Sequence, residues 1–285
     1  MRLNFRRRRR QVRRVALLPT LVTLGNGICG FTALFKTAEG QFEWAAWLIL
    51  LGMVFDALDG RVARMTGAVS KFGAQMDSLC DLVTFGVAPA FLARGILLEG
   101  PAVYHTQFPD RLVWIACTFY AMCALIRLAR FNVETGPDEE SHQDFAGLPT
   151  PAAAGVVASV ILATARVAAP ARNGMIPEIE GAADALVPVL PLIVFVLGLL
   201  MTSRVSYVHV MNRFLRGISS FVTLLEVLLL GVVLVLVKET AFLIVFGGYA
   251  LWGPAVALKR RLTRAPAEAG AALPPAGDEN PEIFG

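Results

Sequence analysis

The sequence predicts an all-α protein, a polytopic bundle of about eight transmembrane helices with both termini in the cytoplasm. Three observations predict it: a low share of charged residues, a series of long apolar segments, and an uneven distribution of Lys and Arg. Of the 285 residues, 56% are hydrophobic and 17% are charged, whereas about a quarter of a soluble domain is charged. Lipid is therefore the expected solvent for most of the chain.

Eight apolar segments are candidates for membrane-spanning helices. Most approach the roughly 20 residues that a helix needs to cross about 30 Å of hydrocarbon. Backbone groups in lipid must find their hydrogen bonds within the segment, so each segment is expected to be helical. The sixth and seventh are short, which leaves six or seven spans as alternatives. The segments are 15–36, 43–64, 74–98, 111–131, 149–168, 184–202, 219–237 and 240–258.

The basic residues predict the orientation in the membrane. With the N-terminus in the cytoplasm and eight crossings, 20 of the 26 Lys and Arg fall on the cytoplasmic side and 6 on the far side. That excess is typical of cytoplasmic loops. The run Arg6–Arg10 directly precedes the first apolar segment, so attraction to anionic lipid headgroups explains it and no nucleic-acid partner is expected. We expect a multi-pass protein of the inner or plasma membrane.

The chain divides into three parts by composition. Residues 1–14 form a basic cytoplasmic tail, 15–264 the transmembrane domain, and 265–285 a tail rich in Ala, Pro and Gly that is expected to be disordered. The glycine-rich stretch GNGICG, residues 25–30, predicts close packing of the first helix against its neighbours.

Four aspartates lie where the second and third apolar segments meet. Asp56 and Asp59 are three residues apart, and Asp77 and Asp81 are four apart, so each pair shares one face of a helix. The link between the two helices, 65–73, is short and makes them antiparallel neighbours. The two pairs are therefore expected to face each other at the cytoplasmic ends of these helices.

Carboxylates crowded at the edge of a membrane repel one another unless a cation lies among them. Oxygen ligands without His or Cys suit Mg²⁺, Mn²⁺ or Ca²⁺, and a Mg²⁺ site usually keeps room for substrate phosphates. Three further residues suit a phosphate ligand. Gly60 would let a phosphate approach the backbone, Arg64 could bind it with two hydrogen bonds, and Ser70 offers a hydroxyl donor.

The spacing of these residues resembles the signature of the CDP-alcohol phosphatidyltransferase family, D-x2-D-G-x2-A-R-x8-G-x3-D-x3-D. The match spans 26 residues and fills every fixed position. The positions are Asp56, Asp59, Gly60, Ala63, Arg64, Gly73, Asp77 and Asp81.

The resemblance implies a reaction in which an alcohol displaces CMP from a CDP-linked lipid with the help of a divalent metal. It implies that Asp56, Asp59 and Asp77 are metal ligands, and that Asp81 is the general base and a further ligand. It also implies that Gly60, Arg64 and Ser70 contact the CDP-lipid. Thr23 and Asn26 on the first helix could reach the nucleotide too, and a packing role explains these two residues equally well.

Four further segments are similar to the branch of this family that uses L-serine, the phosphatidylserine synthases. They are PTLVTLGNGICG (19–30), FGVAPA (85–90), ALIRLARFN (124–132) and GLPTPAAAG (147–155). This similarity implies CDP-diacylglycerol and L-serine as substrates, and a homodimer. Arg127, Arg130 and Asn132 could hold the serine carboxylate. Anchoring of the helix end by the positive-inside effect explains the two arginines equally well.

Other functions stay open. Within the family, the acceptor could be glycerol phosphate, inositol phosphate or choline, or the donor could carry an archaeal isoprenoid lipid. An intramembrane prenyltransferase would carry two Asp-rich motifs far apart, whereas both pairs here fall within 26 residues. A cation-coupled transporter would place its charges near the middle of the membrane. Glu226, within the seventh segment, is the feature that keeps transport open.

Overall fold

The fold is described from a computed structural model that covers residues 2–66, 71–100, 108–134, 147–165, 186–203, 205 and 240–264. Within these ranges the regular structure is entirely helical. This confirms the predicted all-α class.

Seven helical rods make up the described part of the chain. Each corresponds to one of the predicted apolar segments, and the predicted segment 219–237 lies outside the described residues. A π-helical turn joins α3 to α4 without a break in the rod. The elements are α1 (Arg2–Ala38), α2 (Phe42–Thr66), α3 (Lys71–Asp81), the π turn (Leu82–Val87), α4 (Ala88–Leu98), α5 (Asp110–Glu134), α6 (Thr150–Ala165), α7 (Leu190–Thr202) and α8 (Thr240–Arg264).

Two of these rods are long and apolar enough to cross a membrane. They are Phe72–Leu98 and Asp110–Val133, with mean hydropathies of 1.6 and 1.9. Shorter apolar helices lie at Thr150–Thr164, Leu190–Thr202 and Ala241–Val256. Large apolar side chains also cover one outer face of α1, where Leu21, Ile28, Phe31 and Phe35 are each more than half exposed. Such a face suits contact with lipid.

The first helix begins earlier than its apolar pattern predicts. Its backbone is helical from Arg2, so the basic tail 1–14 continues directly into α1. The reason is local: Arg, Leu and Gln are good helix formers, and no Gly or Pro occurs before Pro19. The start of the apolar pattern therefore does not mark the start of the helix.

Helix α1 packs closely on α2 and on the rod formed by α3, the π turn and α4. A Cβ atom built at Gly27 would lie 2.8 Å from Cys80 Sγ, and one at Gly30 would overlap Thr84. The stretch 25–30 therefore brings α1 against the rod formed by α3, the π turn and α4, as its glycine content predicts.

The core lies between α2, α4, α5, α6 and α7, and contains fully buried Tyr120, Ile161 and Met201. Two backbone hydrogen bonds tie the segment before α6 to the end of α7. Gly147 N donates to Val205 O at 2.9 Å, and Leu148 N donates to Leu200 O at 3.0 Å.

Gly147 should be among the least replaceable residues of this core. Its φ is +95°, and a Cβ there would overlap the carbonyl oxygen of Met201. We expect Gly147→Ala to lower the free energy of unfolding by about 2 kcal/mol or more, from strain and overlap together. Gly40→Ala is the matched control, because its φ is +72° but its Cβ would meet open space. Equal melting temperatures of the two variants in detergent would contradict the expectation.

Candidate active site

Three of the four predicted aspartates meet between the C-terminal part of α2 and α3. One carboxylate oxygen from each of Asp56, Asp59 and Asp77 lies within 4.8 Å of the others. The spacing of three residues keeps Asp56 and Asp59 on one face of α2, and Asp77 of α3 reaches the same place. The predicted meeting of the two motif halves is therefore present in the structure.

This aspartate cluster has the properties of a cation site. Asp59 and Asp77 lie within hydrogen-bonding reach of each other. Asp59 Oδ2 and Asp77 Oδ1 are buried and accept no hydrogen bond within the described part of the chain. Carboxylates held this close require a proton or a cation between them. An all-oxygen set with unused buried acceptors fits a hard divalent ion, so the residues present fit the predicted metal.

The fourth aspartate, Asp81, lies one helical turn beyond Asp77 and is buried. Its Oδ1 accepts a hydrogen bond of 2.8 Å from Asn26 Nδ2 on α1. Asn26 is fully buried, and its Oδ1 accepts no hydrogen bond within the described residues. Thr23, one turn earlier on α1, donates to Pro19 O at 3.1 Å and lies within reach of Asp59. Both α1 residues predicted to contact the CDP-lipid thus line the aspartates.

The residues predicted to contact phosphate are described only in part. Gly60 is exposed on α2, and a Cβ built there would have no atom within 4 Å. Packing within the described protein therefore does not require glycine at this position, while a ligand could reach its backbone. The side chain of Arg64 and the whole of Ser70 lie outside the described residues, and their roles remain predictions.

Arg127 and Arg130, which the sequence suggested as a pair, lie in different environments in the structure. Arg127 points inward, and its Nη1 donates to Thr150 Oγ1 on α6 at 3.0 Å. Its charge lies close enough to Asp81 and to Tyr249 of α8 to interact with both. Its Nε is buried without a partner in the described ranges. Arg130, three residues later on the same helix, is exposed.

Asn132 also faces the site-bearing rod. Its Oδ1 accepts a hydrogen bond of 2.9 Å from the hydroxyl of Ser78, the residue after Asp77. Sequence reasoning missed Ser78, Thr150 and Tyr249 as neighbours of the site. Only the GLPTPAAAG segment, which contains Thr150, gave a signal for any of the three.

The π turn directly after Asp81 was also not predicted. Its signal in the sequence is Pro89, which lacks an amide hydrogen and whose ring crowds the carbonyl four residues earlier, that of Phe85. A helix can relieve this clash by widening locally to the i→i+5 pattern, and such turns are frequent at functional sites. The structure has that pattern, since Ala88 N donates to Val83 O.

Comparison with known protein families identifies the class. The model of the CDP-alcohol phosphatidyltransferase family matches residues 16–252, which covers most of the chain and every helix of the site. The chain belongs to this family.

Curated relatives give the branch to which the chain is similar. It is 36% identical over 146 residues to a CDP-diacylglycerol–serine O-phosphatidyltransferase from Helicobacter pylori, covering 51% of this chain and 57% of that protein. It is 37% identical over 135 residues to a protein of the same name from Bacillus subtilis, covering 47% and 69%. An archaetidylserine synthase from Methanothermobacter thermautotrophicus is 37% identical over 148 residues, covering 51% and 58%. The match thus spans only part of the length of each relative.

Proposed function

We propose that this protein transfers the phosphatidyl group of CDP-diacylglycerol to the hydroxyl of L-serine, giving phosphatidylserine and CMP. One observation carries the proposal: Asp56, Asp59 and Asp77 converge within 4.8 Å, with Asp81 one turn away. The family match and the names of the relatives support the same reaction.

A divalent ion, Mg²⁺ or Mn²⁺ with Ca²⁺ as an alternative, would be held by the aspartate cluster, with Asp81 as a further ligand. When bound, it would neutralise negative charge on the diphosphate. Asp59 Oδ2 and Asp77 Oδ1 support this assignment, because both atoms are buried and have no hydrogen-bond partner in the described structure.

Asp81 is proposed as the general base. The serine oxygen attacks the lipid-bearing phosphorus while Asp81 accepts the hydroxyl proton. The phosphorus–oxygen bond to CMP breaks, and CMP leaves with the bridging oxygen. The bond from Asn26 to Asp81 supports the role, since it leaves the second carboxylate oxygen available and fixes its direction. A single displacement needs no covalent enzyme intermediate.

Gly60 is proposed to let the diphosphate approach α2. Gly60→Ala should leave thermal stability unchanged or slightly higher, because Ala favours a helix by up to about 1 kcal/mol and no neighbour is crowded. We expect the KM for CDP-diacylglycerol to rise about tenfold. Gly248→Ala is the matched control, since its Cβ on α8 also meets open space. An unchanged KM in Gly60→Ala would contradict the contact.

Arg127, Arg130 and Asn132 are the proposed serine-binding residues, and their environments predict unequal effects. Arg127 is inward-facing with a free Nε and lies near Asp81. We expect Arg127→Ala to raise the KM for serine at least about tenfold, through loss of a charge-assisted hydrogen bond. Arg130 is exposed, so Arg130→Ala serves as the comparison and should raise that KM less. If neither variant changed the KM for serine, the carboxylate assignment would be wrong.

The arrangement in the membrane is proposed from the basic residues. About eight spans with both termini inside would turn the aspartate cluster toward the cytoplasm, where serine and the CDP head group are supplied. A homodimer is proposed from resemblance to the family. The basic tail 1–14 would lie against anionic headgroups.

Acceptor-dependent CMP release tests the proposal. Protein purified in detergent would receive CDP-diacylglycerol, Mg²⁺ or Mn²⁺, and one acceptor at a time: serine, glycerol phosphate, inositol phosphate or choline. We expect release with serine alone, abolished by EDTA. Release with another acceptor would keep the family chemistry and overturn the substrate. An isoprenoid CDP-lipid assayed in parallel separates the archaetidylserine alternative, which the similarity to the archaeal relative raises.

A further inference from the structure

The π turn sets the direction of the helix face that carries Asp77 and Asp81. It begins at Leu82, immediately after Asp81, and its hydrogen bond spans one residue more than that of an α-helix, so the turn inserts one extra residue. Since α-helical residues advance by about 100° each, this extra residue rotates α3 by about that angle relative to α4. The α4 face buries Leu92, Ala93 and Ile96 in the core. If the π turn relaxed while α4 stayed packed, the aspartates of α3 would swing away from α2.

Tyr120 holds this turn from the neighbouring helix α5. Pro89 has no N–H to donate to Phe85 O, so that carbonyl lacks its α-helical partner. Tyr120 OH donates to Phe85 O at 3.0 Å, and both side chains are fully buried. In an apolar interior a freed carbonyl must find a donor within the protein. The phenol supplies it at the widened part of the helix.

A second contact holds the turn from α1. Thr84 Oγ1 donates to the backbone oxygen of Asn26 at 3.0 Å. The side chain of Asn26 in turn donates to Asp81 at 2.8 Å. The path from Asp81 along the turn to Thr84, across to Asn26 and back to Asp81 is therefore a closed ring. Its geometry depends on the shape of the π turn.

We propose that Tyr120 is a positioning residue: its hydrogen bond to Phe85 O keeps the π turn open and thereby aims the carboxylate of Asp81 at the attacking hydroxyl. Tyr120 itself does not touch substrate. The inference rests on the proposed role of Asp81 as the base. It assigns a function to a buried tyrosine 35 residues away from its partner in the chain.

Tyr120→Phe removes one hydroxyl and leaves the ring. We expect kcat per folded molecule to fall about 10- to 100-fold, because a small misplacement of a catalytic group has effects of this order. The KM for serine should stay within about twofold, since its proposed binding residues lie on α5. Thr37→Val is the matched control. It also removes a fully buried hydroxyl, one that donates to Ala33 O at 2.9 Å at the far end of α1, and it should retain wild-type kcat.

A purely structural role gives a different result. In that case Tyr120→Phe loses activity only in proportion to its unfolded fraction, which size-exclusion chromatography measures. Its kcat per folded molecule then equals that of Thr37→Val. That outcome overturns the proposal, as does a change confined to KM. If Tyr120→Phe yields no folded protein, Thr84→Val and Thr84→Ser probe the same turn. We then expect Thr84→Val to lower kcat and Thr84→Ser, which keeps the hydroxyl, to restore it toward the wild-type value. Equal kcat values for the two variants would overturn the proposal.

Asp81→Asn distinguishes failure of this inference from failure of the proposed function. If Asp81→Asn is inactive while Tyr120→Phe behaves like the control, only the positioning role of Tyr120 is wrong. If Asp81→Asn remains active, the assignment of Asp81 as the base is wrong.

Discussion

Asp81→Asn should lower kcat by about 10²- to 10⁴-fold, the range typical for loss of a positioned general base. The amide is nearly isosteric with the carboxylate, and its oxygen can still accept the hydrogen bond from Asn26. It cannot take the proton of the serine hydroxyl. Steady-state CMP release measures the loss, and calorimetry with CDP should show that the nucleotide still binds.

Asp110→Asn is the control for this substitution. Asp110 is an exposed aspartate at the first residue of α5, at the opposite end of that helix from Arg127, and it is not a member of the aspartate cluster. We expect wild-type kcat from it. If Asp81→Asn retained a kcat within about tenfold of the control, Asp81 would not be the base.

Asp59→Asn should remove a metal ligand and with it most of the activity. Asp59 is the most buried member of the aspartate cluster, with 5% of its surface exposed. We expect Mn²⁺ affinity, measured by electron paramagnetic resonance on purified protein, to fall at least about 100-fold, because even outer-shell changes cost 10- to 100-fold. This measurement does not depend on turnover.

The melting temperature of Asp59→Asn should differ from that of the wild type in opposite directions without and with metal. Without metal, and at a pH high enough to ionise the aspartates, the wild type holds like charges together, so Asp59→Asn should melt at a higher temperature. With saturating Mn²⁺ the wild type should gain stability, because the ion binds only the folded state. The variant should gain little. A variant that bound and was stabilised by Mn²⁺ as strongly as the wild type would contradict the metal assignment.

The helices and the aspartate cluster were predictable because both depend on local periodicity. Apolar length located every described helix, and spacings of three and four residues placed each pair of aspartates on one face. The short link predicted that the two pairs would meet, and the structure brings Asp56, Asp59 and Asp77 together, with Asp81 outside the cluster. The close approach of α1 likewise followed from glycines whose Cβ positions are filled by neighbours.

The unequal roles of Arg127 and Arg130 could not be predicted from their own helix. The two residues are three apart and look alike in the sequence. Their difference comes from α6, whose Thr150 accepts a hydrogen bond from Arg127, and from α8, whose Tyr249 lies within electrostatic range of it. These contacts join positions distant in the chain, and no local pattern encodes them.

The π turn is an intermediate case, because its cause is local but its stability is not. Pro89 signals that the carbonyl of Phe85 loses its helical donor. Whether the helix ends, kinks or widens there depends on what replaces that donor. Tyr120, on another helix, makes the wide turn stable.

The stereochemical course at the transferred phosphorus is the most direct measurement of the central claim. CDP-diacylglycerol made chiral at the lipid-bearing phosphorus would be incubated with L-serine, the divalent ion and the purified protein, and the configuration of the phosphatidylserine would be determined. We predict that the phosphatidylserine formed has the inverted configuration at phosphorus, because the serine hydroxyl attacks directly with Asp81 as base. Retention of configuration would mean two successive displacements through a covalent intermediate. Absence of any phosphatidylserine product would contradict the proposed reaction itself.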